Sequence, residues 1–525
     1  MTVDKDRSIL HSLGYAQELS RRMSGFSNFA ISFTIISILS GTLTLYGTGI
    51  NYGGPVEEAY GWPLVSVFVI IVGLGMAEIA SKYPTAGGLY YWASKMGGPV
   101  WGWFTGWFNL IGQIAITAGI DYGAAIFADA LLNLLWPGTF PATPHAIIAV
   151  YGAILFLHAV MNIFSVRLVA FLNDVSVWWH VLGVVIIVGF LVFKPAHHQS
   201  FSTVFSKTVN NSGFSHGWLW FVLLLGLLQA QYTYTGYDAS AHMSEETQNA
   251  SRSAARGVIM SIVVSAVCGY ILALGVTFAI QNLAGTESAY LFSVKQVYLD
   301  ALGVHTAEVM LFITVMAQLY CGMSSITSAS RMMYAFSRDG ATPGHNLWRR
   351  LNAQRVPVYS VWAIAILAFL LAFPAYFSTG IGVGAGYIAY AAVTSIATIG
   401  LYIAYAIPIY LRLREGDAWE AGEWNLGRWY KPVGWIAVVW VLFISVLFIM
   451  PTLPQGIPFK TGFTWLDVNY APIAVIGTLV LVGGWWMVSA KNWFKGPVAQ
   501  GTAEELAKIE QRYEHGASAA APGPA

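Results

Sequence analysis

The sequence predicts an all-α integral membrane protein of twelve transmembrane helices with both termini in the cytoplasm. Three observations carry this prediction. Apolar types make up 56% of the 525 residues and charged types only 10%, against about 25% charged in an ordinary soluble domain. Twelve apolar segments are long enough to cross ~30 Å of hydrocarbon as helices. Lys and Arg also segregate. With the N-terminus inside, 22 of the 26 fall in cytoplasmic segments, and only Lys194, Lys207, Lys295 and Lys460 fall outside. That is a strong positive-inside asymmetry, and losing one span would scramble it.

In chain order the predicted spans are 25–46, 62–80, 102–134, 145–164, 166–193, 218–243, 257–280, 305–337, 358–377, 384–413, 433–450 and 471–489, numbered 1 to 12 below. The segments between them justify each in turn. Residues 1–24 are polar, carry Lys5, Arg7, Arg21 and Arg22, and lack the pattern of a cleavable signal. Lys82 and Lys95 follow span 2, Arg167 follows span 4, and Arg252 and Arg256 follow span 6. Five arginines from Arg331 to Arg355 lie at the inner end of span 8 and beyond it, and Arg412, Arg414, Arg428 and Lys431 lie at the inner end of span 10 and beyond it. In the tail from 491, residues 502–513 suit a short soluble helix, and the Ala/Pro/Gly-rich 518–525 reads as disordered. The expected organisation is a ten-helix core over 25–413, in repeats of about 25–193 and 218–413, with helices 11 and 12 over 431–490.

Two spans carry polar interruptions. In span 1, Ser37, Ser40, Gly41 and Thr42 sit among apolar residues; in span 6, Thr233, Thr235, Gly236, Tyr237 and Asp238 form a polar midsection. Small hydroxyl residues and Gly can leave helical geometry, exposing backbone groups at the bilayer midplane. Gly41 and Asp238 are 197 positions apart, and spans 1 and 6 enter from opposite sides. This is the spacing of an inverted five-plus-five repeat.

Several functions are excluded. A net charge of +1 gives no basic footprint for nucleic acid. There is no Walker A sequence, no G-x-S-x-G, no H-E-x-x-H and no metal-ligand cluster. Neither an enzyme, a cofactor nor a resident metal is expected. Cys268 and Cys321 lie in apolar runs and read as small core residues.

Longer motifs point to a family. GLGMAEIASKYPTAGGLYYWAS after span 2 resembles the AEL-x-S-x-P-x-AGG-x-Y-x-W signature of the amino acid–polyamine–organocation transporter superfamily. TSASRMMYAFSRDGATPG resembles its span-8 signature, and YTGYD with SEETQNASRSAARGV resembles its span 6 and exit loop. SNFAISFTIISILSG and SVWWHVLG are similar to the amino acid/choline branch, which includes γ-aminobutyrate, choline and polyamine permeases. The resemblance implies a LeuT-like fold with spans 11 and 12 peripheral. It implies that a substrate carboxylate meets backbone N–H groups at Ser40, Gly41 and Thr42, where a half-helix start attracts anions. It places the substrate amine at carbonyls near Tyr232, Thr233 and Tyr234, with the Tyr232 ring covering it. Gln113 and Gln318 are weaker candidates for the pocket lining.

Ionisable residues inside the membrane are functional candidates by default. Those near the midplane are Asp121, His158, His180 and Asp238. Many proton-coupled members carry a lysine on span 5, seven residues after an Asn; here Asn173 is followed at that distance by His180. The expectation is that His180 carries the coupling proton. Na⁺ would need hard oxygens, which Ser324, Ser325, Thr327 and Ser328 offer. The leading expectation is a plasma-membrane importer of a small amino acid such as γ-aminobutyrate, by proton-coupled alternating access. Alternatives are a choline or polyamine transporter using Tyr232, Tyr234, Tyr237 and Asp238 as a cage, Na⁺ coupling, exchange, or a non-transporting receptor or channel.

Overall fold

Hydrocarbon offers no hydrogen-bond partners, so a spanning backbone must satisfy itself within helices. The structure, a computed structural model that describes residues 2–140, 143–164, 166–377 and 385–514, is helical, with no β-strand among the described residues. Among the described residues, eleven helices are long and apolar enough to cross a membrane. They correspond to every predicted span but the sixth. Span 6 is broken into Leu219–Gly226, Leu228–Thr233 and Ala239–His242, so no single piece reaches spanning length.

The first four spans pack against the spans five later. Span 2 (Trp62–Lys82) lies against span 7 (Ala250–Phe278), and span 3 (Pro99–Leu135) against span 8 (Val304–Arg338). Span 4 (Pro144–Phe164) lies against span 9 (Val358–Ala372), and the broken spans 1 and 6 touch each other. Each of the first four spans thus meets its counterpart five spans later. Spans 1, 2 and 7 form one cluster; spans 3, 4, 8 and 9 form another.

Burial follows these roles. The central stretches of spans 1 and 3 are 89% buried, whereas that of span 12 is 11% buried, so span 12 is peripheral. Span 5 (Val166–Phe193) turns Phe171, Trp178, Leu182 and Val185 outward. It turns Asn173, Ser176 and His180 inward. Outside the spans are helices the hydropathy pattern did not announce. Thr2–Ser12 lies at the amino end, Gly88–Gly97 follows span 2, and Leu283–Ser288 and Ser293–Leu302 cover the outer face. The expected tail helix is present as Ala503–Glu514; the stretch 518–525 lies outside the described residues.

Candidate functional site

Span 1 begins at Gly25, where Ser24 Oγ accepts from the Ser27 amide, and its first helix ends at Ile36. Ser37 then adopts φ 37°, ψ 80°, a left-handed conformation that costs a non-glycine residue about 1–2 kcal/mol. The amides of Ser40 and Gly41 fold back to donate to Ser37 O at 2.8 and 3.0 Å. The helix resumes over Gly41–Thr44 and Tyr46–Tyr52. Among the described residues the amides of Thr42 and Leu43 have no partner. The opening therefore sits further along than expected: Ser40 and Gly41 are engaged by the turn itself, and of the three expected donors Thr42 is open. Its Oγ1 is buried without a partner as well.

The break in span 6 is held by Gly236 at φ 96°. A Cβ there would fall 2.2 Å from Ile35 Cγ2, so both conformation and space demand glycine. Tyr232 O accepts from the Thr235 amide and hydroxyl at 2.9 and 2.6 Å. The carbonyls of Thr233, Tyr234 and Thr235 accept nothing among the described residues. The two breaks touch, since a Cβ on Gly41 would lie 2.7 Å from Thr233 Oγ1. The open amides of span 1 and the open carbonyls of span 6 thus belong to breaks in direct contact.

Where the breaks meet lies a buried cavity of about 10 Å³, room for about one water. Ser40, Gly41, Tyr232, Thr233, Thr235 and Cys321 contribute to its wall, the rest is isoleucine, and no charged side chain lines it. Tyr232 keeps its hydroxyl unpartnered. Tyr234 points away, its hydroxyl 2.5 Å from Ser66 Oγ and its ring against Trp62, while Tyr237 stacks on Tyr405. The three tyrosines do not form a cage here. Both amide atoms of the Gln318 side chain lack partners.

Asp238 sits below the break in a fully buried network. It accepts from Asn109 Nδ2 (3.1 Å), Gln113 Nε2 (2.9 Å) and Tyr405 OH (2.9 Å). His242 Nε2 lies 3.2 Å from Asp238 Oδ2, and His242 Nδ1 lies 2.9 Å from Ala86 O. A carbonyl only accepts, so Nδ1 carries a proton, and Nε2 meets the carboxylate only if a second proton lies between them. Gln113 is thereby directed to Asp238 and away from the cavity.

His180 links its own helix, span 5, to the first break. Its Nδ1 lies 2.8 Å from Ser176 O and its Nε2 2.7 Å from Ser37 Oγ, so the neutral ring is satisfied when Ser37 donates. The span-8 hydroxyls diverge. Ser324 donates to Asn173 on span 5, Thr327 to Asn162 on span 4, and Ser325 pairs with Thr117 on span 3. Ser328 Oγ has no partner. Three of the four are engaged in helix–helix hydrogen bonds toward different neighbours and share no centre. Asp121 and His158 are not separate: His158 Nδ1 stands 3.2 Å from the Asp121 carboxylate.

Charged pairs seal the cytoplasmic side. Arg331 Nε donates to Glu246 at 2.7 Å, and Arg338 makes two bonds to Glu245, at 3.0 and 3.1 Å. Glu245 also accepts from the Ala86 amide, which ties in the loop after span 2. Tyr15 lies 3.8 Å under the Arg338 guanidinium and donates to Asp339. Burial pushes the Asp339 carboxyl up to about 6, and Arg338 opposes that shift. On the outer side Gln229 Nε2 bridges Glu58 (3.0 Å) and Thr42 O (3.2 Å). Sequence reasoning did not single out His242, Glu245, Glu246 or Glu58. The signal was the run of acids after span 6 and the pair at 57–58, in a chain otherwise poor in charge.

Comparison with known proteins agrees with this architecture. A family model described as "Amino acid permease" matches residues 23–481. The chain is 40% identical to "Amino-acid permease BAT1" of Arabidopsis thaliana, over 95% of this chain and 97% of that one. It is 40% identical to a rice homolog of that permease, over 94% and 96% of the two chains. It is also 28% identical to a "GABA-specific permease" of Saccharomyces cerevisiae, over 94% and 86%.

Proposed function

Because the chain belongs to the amino acid permease family, it is a multi-pass membrane transporter of the plasma membrane, and we propose that it imports a small zwitterionic amino acid, such as γ-aminobutyrate, in symport with a proton. One observation carries the substrate reading. The open amides at Thr42 and Leu43 and the open carbonyls at Thr233–Thr235 belong to two breaks in contact, beside a cavity with no charged side chain. Backbone dipoles then supply a partner for a carboxylate and, opposite it, for an ammonium group. A polyamine or choline has no carboxylate to satisfy the amides, and no acid lines the cavity to balance its charge.

His180 is the proposed coupling residue. Protonation at Nε2 turns it from acceptor to donor, so the Ser37 hydroxyl must rotate and the left-handed turn of span 1 loses a restraint. Proton binding is thereby linked to the geometry of the amides that hold substrate. The Asp238–His242 pair, one turn below the second break, extends the buried polar path toward the cytoplasm. Reconstitution in proteoliposomes tests the reading with radiolabelled γ-aminobutyrate and separately imposed H⁺ and Na⁺ gradients. The expected result is accumulation driven by an inside-alkaline pH gradient and blocked by small amino acids. Uptake of choline or putrescine in preference, or accumulation that needs Na⁺, contradicts it.

A further inference from the structure

The cytoplasmic face holds a second cavity, apart from the substrate path. It measures about 430 Å³ and lies between the inner end of span 8, the loop that follows and the carboxy-terminal helix. Arg338, Arg349, Arg350, Arg512, Tyr334 and Tyr513 line much of it. The acids on its wall are already engaged. Glu18 accepts from Gln500 and from Tyr513 OH, and Asp339 accepts from Tyr15 and the Val498 amide. Arg338 is held by Glu245. Arg349, Arg350 and Arg512 form no ion pair among the described residues.

The unpartnered buried atoms point the same way. Nε of Arg338, Nε of Arg349, the Tyr334 hydroxyl and His345 Nδ1 all lack a hydrogen-bond partner. The two guanidinium nitrogens are obligate donors, and Tyr334 and His345 can donate. Three unbalanced guanidinium groups around one cavity repel one another, and their planar forks match phosphate oxygens in a bidentate manner. The volume exceeds that of several waters at about 30 Å³ each, so a phosphate can enter with an organic group attached.

We propose that this cavity binds a phosphate-bearing anion, which clips the carboxy-terminal helix (Ala503–Glu514) to the inner end of span 8. The clip is mechanically placed to act on transport. Arg338 joins the cavity to Glu245, and Glu245 joins the loop after span 2, so an anion that orders this corner favours the closed inner side. A soluble phosphate compound and a phospholipid headgroup both present this chemistry.

The test uses the purified full-length protein in uncharged detergent and in nanodiscs. Amide exchange across residues 503–514 is followed as inorganic phosphate is titrated at constant ionic strength, with chloride as control. The same segment is compared in phosphatidylglycerol and phosphatidylcholine nanodiscs. The variant is Arg349→Gln with Arg512→Gln; neither residue has an acidic partner to strand, so folding is retained. Arg349→Lys, which keeps the charge, serves as second variant. Saturable protection by phosphate that weakens at least tenfold in the double variant, and by less in the lysine variant, supports a soluble ligand. Protection that appears only in phosphatidylglycerol and vanishes in the double variant supports a lipid headgroup. Absence of protection beyond the chloride and phosphatidylcholine controls overturns the proposal, and so does an unchanged response in the double variant. None of these readouts involves transport, so the substrate reading stands or falls separately.

Discussion

Gly236 shows how one position can decide the geometry of the proposed site. Its φ of 96° and the 2.2 Å approach of Ile35 to any added Cβ leave no room for another residue. Gly236→Ala is expected to abolish uptake while the protein still inserts, because the strain falls on the break and not on the spanning helices. Retention of more than a tenth of wild-type uptake in proteoliposomes would contradict this. His180 makes a different prediction. His180→Ala is expected to lose pH-driven accumulation but keep substrate exchange, which needs no net proton movement. Unchanged pH-driven uptake would remove it from the coupling role. The identity of the candidate histidine was legible from its spacing to Asn173, but its partner was not. Ser37 lies 143 positions away, and only the fold brings the two together. The same holds for Asp121 and His158, which read as isolated ionisable residues and turn out to be paired.

Helices and breaks were legible for different reasons. Spanning segments must be both long and apolar, so hydropathy finds them; the breaks had to carry Ser, Thr and Gly, because only such residues tolerate an opened backbone in lipid. The register of the first break was not legible, since which amides stay open depends on the turn at Ser37. The gates were not legible either, because Glu245 and Glu246 precede a polar loop and acquire meaning only beside Arg338 and Arg331. Glu245→Gln removes one partner of a buried pair and is expected to loosen the inner side. Cys321 on the cavity wall reports this directly. In a Cys268→Ser background, Cys321 should be labelled by thiol reagents from the cytoplasmic side at least several-fold faster in the Glu245 variant. Equal labelling rates would deny the gate.

The terminal segments add a pH dependence. Asp339 titrates near 6 in the folded protein instead of its ordinary 3.8. A raised carboxyl favours the packed state only while protonated, so its contribution is full below about pH 4 and is lost as the pH rises through about 6. The shift corresponds to at most about 3 kcal/mol. Amide exchange in residues 2–12 and 503–514, corrected for intrinsic rates, is therefore expected to be slower at pH 5 than at pH 7.5. Asp339→Asn should flatten that difference, and an unaltered pH profile would reject the assignment.

As a whole, the molecule packs each of spans 1–4 on the span five later, as the expected two repeats would require. Both broken helices lie side by side, and the proposed transport cycle would move the cluster of spans 1, 2 and 7 against spans 3, 4, 8 and 9. Both sides of the cavity are closed in this structure, by Arg338–Glu245 and Arg331–Glu246 inside and by Gln229 with Glu58 outside. A cavity of about 10 Å³ must enlarge before an amino acid fits, so the proposed transport cycle requires expansion at the breaks. The reading of a doubly charged substrate is tested most directly by equilibrium binding to purified protein. Labelled γ-aminobutyrate would be competed by butylamine, which lacks the carboxylate, and by butyrate, which lacks the amine. If the open amides and open carbonyls each hold one end of the substrate, both analogues compete at least a hundredfold less well than unlabelled γ-aminobutyrate. Competition by butylamine alone at near-equal strength would show that the amides at Thr42 and Leu43 hold no carboxylate.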